Sequence, residues 1–66
     1  MTSTLLEIAR LLAEREQLRR LYRYINSLPD SPNRCFWLRR LVALANTNES
    51  RLNIVTSALY LSVEAA

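Results

Sequence analysis

The sequence predicts an all-α protein, because its composition and its apolar spacing both favour helices. Glycine is absent, and the only two prolines, Pro29 and Pro32, lie close together near the middle of the chain. The rest of the backbone therefore contains almost nothing that weakens a helix. Apolar residues recur at three- and four-residue spacing on both sides of the prolines, which is the period of an amphipathic helix.

The first predicted helix covers residues 4–28. Thr4 and Glu7 have the spacing of a capping box, in which the hydroxyl and the carboxylate satisfy exposed backbone N–H groups. Pro29 disfavours helical geometry at Leu28 and has no N–H of its own. We therefore expect this helix to stop just before the proline.

The second half of the chain predicts two more helices, over residues 32–45 and 48–64. Ser31 is the expected N-cap, and Pro32 suits the first helical position, where a missing N–H has no consequence. The polar residues from Asn46 onward offer several side-chain caps and predict a break. If the helix absorbs this break instead, the second half is one long helix.

Residues 1–66 should form a single domain, either a small antiparallel bundle of three helices or a two-helix hairpin. A chain of this length buries only about 60% of the surface that its unfolded form exposes, yet half of its residues are hydrophobic. We therefore expect self-association or a partner to complete the fold.

Residues at helical and heptad spacing indicate where a protein partner would bind. Trp37 is expected in the core, whereas Tyr60 falls off the apolar stripe and is expected at the surface. The predicted protein interface consists of Leu11, Leu18, Ile25, Leu52, Val55, Leu59 and Tyr60.

Positive charge is concentrated in the middle of the chain. All nine basic residues are arginine, and residues 17–45 contain six of them against one aspartate, whereas each flanking segment carries a net charge of −1. Such a region attracts nucleic acid, an acidic protein or anionic lipid, or it is simply a solvated helix face. The candidate anion or nucleic-acid contacts are Arg19, Arg20, Arg23, Arg34, Arg39 and Arg40.

The residue types present exclude most catalytic and metal chemistry. The chain has no histidine for acid–base catalysis, no glycine for a phosphate-binding loop, and one cysteine, Cys35, too few for a zinc site. We expect no catalytic, cofactor-binding or metal-binding residue, and we expect Cys35 to be a buried structural residue. The first apolar stretch contains charges and no run is long enough to span a bilayer, which predicts a cytoplasmic location.

Two stretches in the second half, residues 32–38 and 49–55, carry a resemblance to a known family. With the short length and the amphipathic first helix, they resemble the helical-hairpin co-chaperones of type III secretion needle subunits. The resemblance implies a heterodimer with a tetratricopeptide-like chaperone.

Three functions follow as hypotheses from these observations. The leading one is a non-enzymatic, protein-binding adaptor, inhibitor or co-chaperone that acts through apolar helix faces and associates with itself when alone. The alternative is a small DNA- or RNA-binding regulator that depends on its arginines. An amphipathic helix lying on a membrane surface is a weaker third hypothesis, because the first helix lacks an aromatic-rich apolar face.

Overall fold

The chain folds as an antiparallel hairpin of two α-helices. In the computed structural model, which describes residues 2–65, α1 spans Thr2–Asn26 and α2 spans Pro32–Ala65. A short connection over residues 27–31 joins the two helices. The two ends of the predicted domain, Met1 and Ala66, lie outside the described residues. The prediction of an all-α fold is confirmed.

The second helix is continuous, so the structure has the two-helix hairpin and lacks the break expected after residue 45. Two of the polar side chains at this point, those of Thr47 and Asn48, bond elsewhere and do not cap a new helix. Thr47 Oγ1 donates a hydrogen bond to the Ala43 carbonyl oxygen at 3.1 Å, within the same helix. The Asn48 side-chain amide reaches across to α1. Without a cap to start a third helix, α2 continues to Ala65.

The start of α2 follows the sequence signals closely. The backbone N–H of Arg34 donates to Ser31 Oγ at 3.1 Å, which is the bond of an N-cap residue. Pro32 is the first residue of the helix, at the position where its missing N–H leaves no bond unmade. The predicted cap is confirmed.

The start of α1 differs from the prediction. This helix begins at Thr2, so Thr4 lies inside its first turn and does not cap it. The Glu7 carboxylate pairs instead with Arg51 of α2, with 3.0 Å between Arg51 Nη2 and Glu7 Oε1. The capping box is therefore replaced by an ion pair between the helices.

Arg34 ties the end of α1 to the start of α2. Its Nη2 donates to the Asn26 carbonyl oxygen at 3.1 Å and to Asn26 Oδ1 at 3.0 Å, and its Nη1 donates to Asp30 Oδ1 at 3.2 Å. The last carbonyls of a helix lack partners within the helix, and a cation there also interacts favourably with the helix dipole. One guanidinium group thus closes the connection between the helices.

Replacing Arg34 with alanine should lower the free energy of unfolding by about 1–3 kcal/mol, because hydrogen bonds to a charged group are lost at a partly buried site. Urea unfolding followed by circular dichroism measures the change. Arg40→Ala is the control, since Arg40 is exposed. Equal stability of the two variants would contradict this role for Arg34.

The hairpin is long and has a thin core. It measures 52 × 15 × 13 Å, and its radius of gyration is 15.4 Å, compared with about 11 Å for a compact domain of the same length. Three hydrophobic side chains are buried in the described part of the chain, Leu11, Leu41 and Leu52. The accessible surface is 5463 Å², whereas a compact protein of this mass exposes about 4,300 Å². Two helices alone leave much of their apolar surface in water.

Candidate interaction surfaces

The predicted interface residues lie mostly in the seam between the two helices. Six of them are buried or half-buried there and hold α1 against α2, whereas Tyr60 is exposed near the end of α2. The six seam residues are Leu11, Leu18, Ile25, Leu52, Val55 and Leu59. Their heptad spacing reflects packing between the two helices of this chain. Packing against a helix of a partner protein would produce the same spacing.

Asn48 is a polar residue in the middle of this seam. The residue is 3% exposed, and its Nδ2 donates to the Leu11 carbonyl oxygen at 2.9 Å and to Glu14 Oε1 at 3.2 Å. Both bonds cross from α2 to α1. A single buried asparagine of this kind favours one register of paired helices over the alternatives. The predicted start of a third helix at Asn48 is wrong, because the position of an asparagine in the sequence does not show what its amide contacts.

The ion pair between Glu7 and Arg51 marks one flank of the hairpin, and two heptad rows extend from it toward the connection. Residues seven apart return to the same face of a helix in such a pair. Leu21 lies two heptads after Glu7 on α1, whereas Leu44 and Trp37 lie one and two heptads before Arg51 on α2. All three side chains are exposed. This flank is therefore polar at one end and apolar at the other.

The apolar end of this flank also includes Phe36. The Phe36 and Trp37 rings pack edge to face, with centroids 5.2 Å apart and an angle of 80° between their planes. Trp37 is 53% exposed, so the expectation that it belongs to the core is wrong. A two-helix hairpin buries side chains only in the single seam between its helices. Trp37 lies beside this seam, so its ring stays exposed. We call Leu21, Phe36, Trp37 and Leu44 the apolar flank.

The opposite flank contains a groove of about 430 Å³ between the second half of α1 and the middle of α2. Its floor is apolar, with Leu18 and Leu41 from the seam and Val42 beside them. Three exposed arginines of α1 line one wall. We call this feature the basic groove, and its arginines are Arg15, Arg19 and Arg23.

The six candidate anion contacts do not form one cluster. Arg19 and Arg23 line the basic groove, and Arg34 is bonded to Asn26 and Asp30 at the connection. The other three, Arg20, Arg39 and Arg40, are exposed and lie outside the groove. Arg15 also belongs to the groove, although it was not among the predicted contacts. Its four-residue spacing from Arg19 was the available signal, since residues four apart share a helix face.

Cys35 is exposed, and the expectation that it is buried is wrong. It lies in the first turn of α2, where its Sγ is 4.0 Å from Asp30 Oδ1 as a weak donor. Within residues 2–65, no three acidic, cysteine or histidine side chains are grouped so that they could hold a metal ion. Neither α1 nor α2, over their described lengths, has a stretch long and apolar enough to cross a membrane.

No protein-family model, curated protein or solved structure matches this chain.

Proposed function

We propose that this chain is a non-enzymatic, protein-binding helical hairpin that acts as an adaptor, inhibitor or co-chaperone. The observation that carries the proposal is the excess of exposed apolar surface over buried core. Fifteen large hydrophobic side chains of the described residues are exposed, whereas three hydrophobic residues are buried. Such surface is favourable to remove from water, and large exposed apolar patches are typical of protein interaction sites.

The apolar flank is the proposed centre of the partner-binding surface. Phe36 and Trp37 supply large, rigid rings of the kind that dominate interface energetics. Leu21 and Leu44 extend the same flank from both helices. The heterodimer implied by the resemblance to secretion co-chaperones is a contact of this type, in which a hairpin completes its core on another helical protein.

Self-association is the expected state of the chain when no partner is present. Two hairpins that bury their apolar flanks against each other form a four-helix bundle, which has a larger core than the isolated hairpin. Sedimentation at micromolar concentration should therefore show a species heavier than 7.7 kDa. A stable monomer of 7.7 kDa with a cooperative thermal transition would contradict the proposal.

A photoreactive amino acid at position 44 tests the surface directly. In the native host, this variant should yield one discrete protein adduct on irradiation, because Leu44 lies on the apolar flank and is 52% exposed. The same amino acid in place of Ser50, an exposed polar residue of α2, is the control. An adduct of twice the chain mass identifies a second copy, and a heavier one identifies a different protein. Equal adduct yields at the two positions would argue against a specific surface.

A further inference from the structure

The basic groove has unused positive charge beside an apolar floor. Arg15, Arg19 and Arg23 follow one another at four-residue intervals, so they form a row along α1 with a rise of about 6 Å per step. None of the three guanidinium groups makes an ion pair in the described part of the chain. One carboxylate, Glu49, also lines the groove, and the three arginines outnumber it.

Most of the chain's own carboxylates already have a partner within the hairpin. Three of its six acidic residues form ion pairs, namely Glu7, Glu16 and Asp30. Glu14 accepts a hydrogen bond from Asn48. Among the described residues, Glu49 and Glu64 make no ion pair, and their 15-residue separation along α2 does not match three arginines on consecutive turns. A second copy of this chain therefore presents no row of unengaged carboxylates to the groove, which favours a different molecule as the partner.

The shape of the groove favours a helix as that molecule. The floor runs along the seam between two helices, and a third helix packs into such a position with its apolar side chains toward Leu18, Leu41 and Val42. Carboxylates at four-residue spacing on the incoming helix would repeat at the interval of the arginine row. Arginine also suits carboxylates because its planar fork donates two parallel hydrogen bonds.

We infer that the basic groove is the docking site for an acidic amphipathic helix of a partner protein, which turns the hairpin into a three-helix bundle. This inference deepens the proposed function and rests on it, since it names the chemistry of the partner at a second surface. A nucleic acid would contact the arginines through its phosphates but would leave the apolar floor unoccupied, because phosphate contacts are electrostatic.

The test uses synthetic capped helices of about 20 residues, long enough to be helical in water. One peptide carries a leucine stripe flanked by glutamates at four-residue spacing, and its matched control has lysine in place of every glutamate. Fluorescence anisotropy of the labelled peptides measures binding to the full chain at several salt concentrations. We expect the acidic peptide to bind at least about tenfold more tightly than the lysine peptide, and less tightly as salt increases.

Arginine variants of the full chain locate the binding site. Changing Arg15, Arg19 and Arg23 together to glutamine should weaken binding of the acidic peptide about tenfold, the sum of three modest, partly exposed ion pairs. A control with the same loss of charge changes Arg10, Arg20 and Arg40, which lie outside the groove, and should weaken binding much less. Circular dichroism verifies that both variants remain helical.

Three results would overturn the inference. One is equal binding of the acidic and the lysine peptides, and another is equal weakening by the two triple variants, which would indicate a general effect of net charge. The third is tighter binding of a duplex oligonucleotide than of the acidic peptide, lost in the groove variant, which would assign the arginines to nucleic acid. Adduct formation at position 44 tests the apolar flank separately. If the acidic peptide does not bind the basic groove, the protein-binding proposal is still tested by that adduct.

Discussion

Replacing Asn48 with aspartate should lower the free energy of unfolding of the hairpin by about 3–5 kcal/mol. The Asn48 Nδ2 group donates to two oxygens of α1, the Leu11 carbonyl and the Glu14 carboxylate. An aspartate would have no N–H to donate, so its oxygens would face those two acceptors at a position that is 3% exposed. Repulsion between two carboxylates adds to the cost of burying the new charge.

Urea unfolding at neutral pH measures this loss, with Asn53→Asp as the control. Asn53 is an exposed asparagine on α2, so its variant makes the same change of charge without burying it. The loss at position 48 should shrink as the pH falls, because the buried aspartate takes up a proton more readily than the unfolded chain does. A variant at position 48 that is as stable as the control would show that Asn48 does not hold the seam.

Leu52→Asp should have the next largest effect, a loss of about 3–4 kcal/mol, which is enough to abolish cooperative folding of a small domain. Leu52 is 8% exposed and is one of the three buried hydrophobic residues among those described. The substitution removes apolar contacts across the seam and places an unpaired carboxylate there. The neighbouring residue Arg51 could in principle neutralise the new carboxylate, but its guanidinium group is already paired with Glu7.

Ile54→Asp is the matched control for Leu52→Asp. Ile54 lies two residues further along α2 and is 70% exposed, so the same chemical change should leave helicity nearly intact. Thermal unfolding followed by circular dichroism on the isolated chain distinguishes the two variants. If both lose their helicity equally, the seam does not lie where the structure places it.

Local signals in the sequence predicted the first helix to within two residues at each end, the start of α2 and the turn between them, but not the continuity of α2. Pro29 and the cap at Ser31 act through bonds within a few residues, so their effect follows from the sequence alone. The polar segment after residue 45 was misread as a break because a side chain that can cap a helix can also bond across to another one. Asn48 does the second, and its partners are 37 and 34 residues away along the chain.

The candidate surfaces were only partly predictable for a related reason. Heptad spacing predicted that Leu11, Leu18 and Ile25 face a protein partner, whereas in the structure they are buried or half-buried in the seam with α2 of the same chain. The spacing of apolar residues shows which face of a helix is covered, but it does not show which helix covers that face. The basic middle of the chain was visible in the sequence, whereas its division into a groove and scattered exposed arginines required the pairing of the two helices.

The sequence by itself determined that the chain is helical, where it turns, and that it has more apolar surface than a core of its size can bury. These properties depend on backbone preferences and composition, which act locally or as sums over the chain. Only the tertiary structure decided that α2 is continuous, that Trp37 is exposed, and that three arginines share a groove with Leu18 and Leu41. Those outcomes depend on the register of α1 against α2, which is set by contacts between residues far apart in the chain.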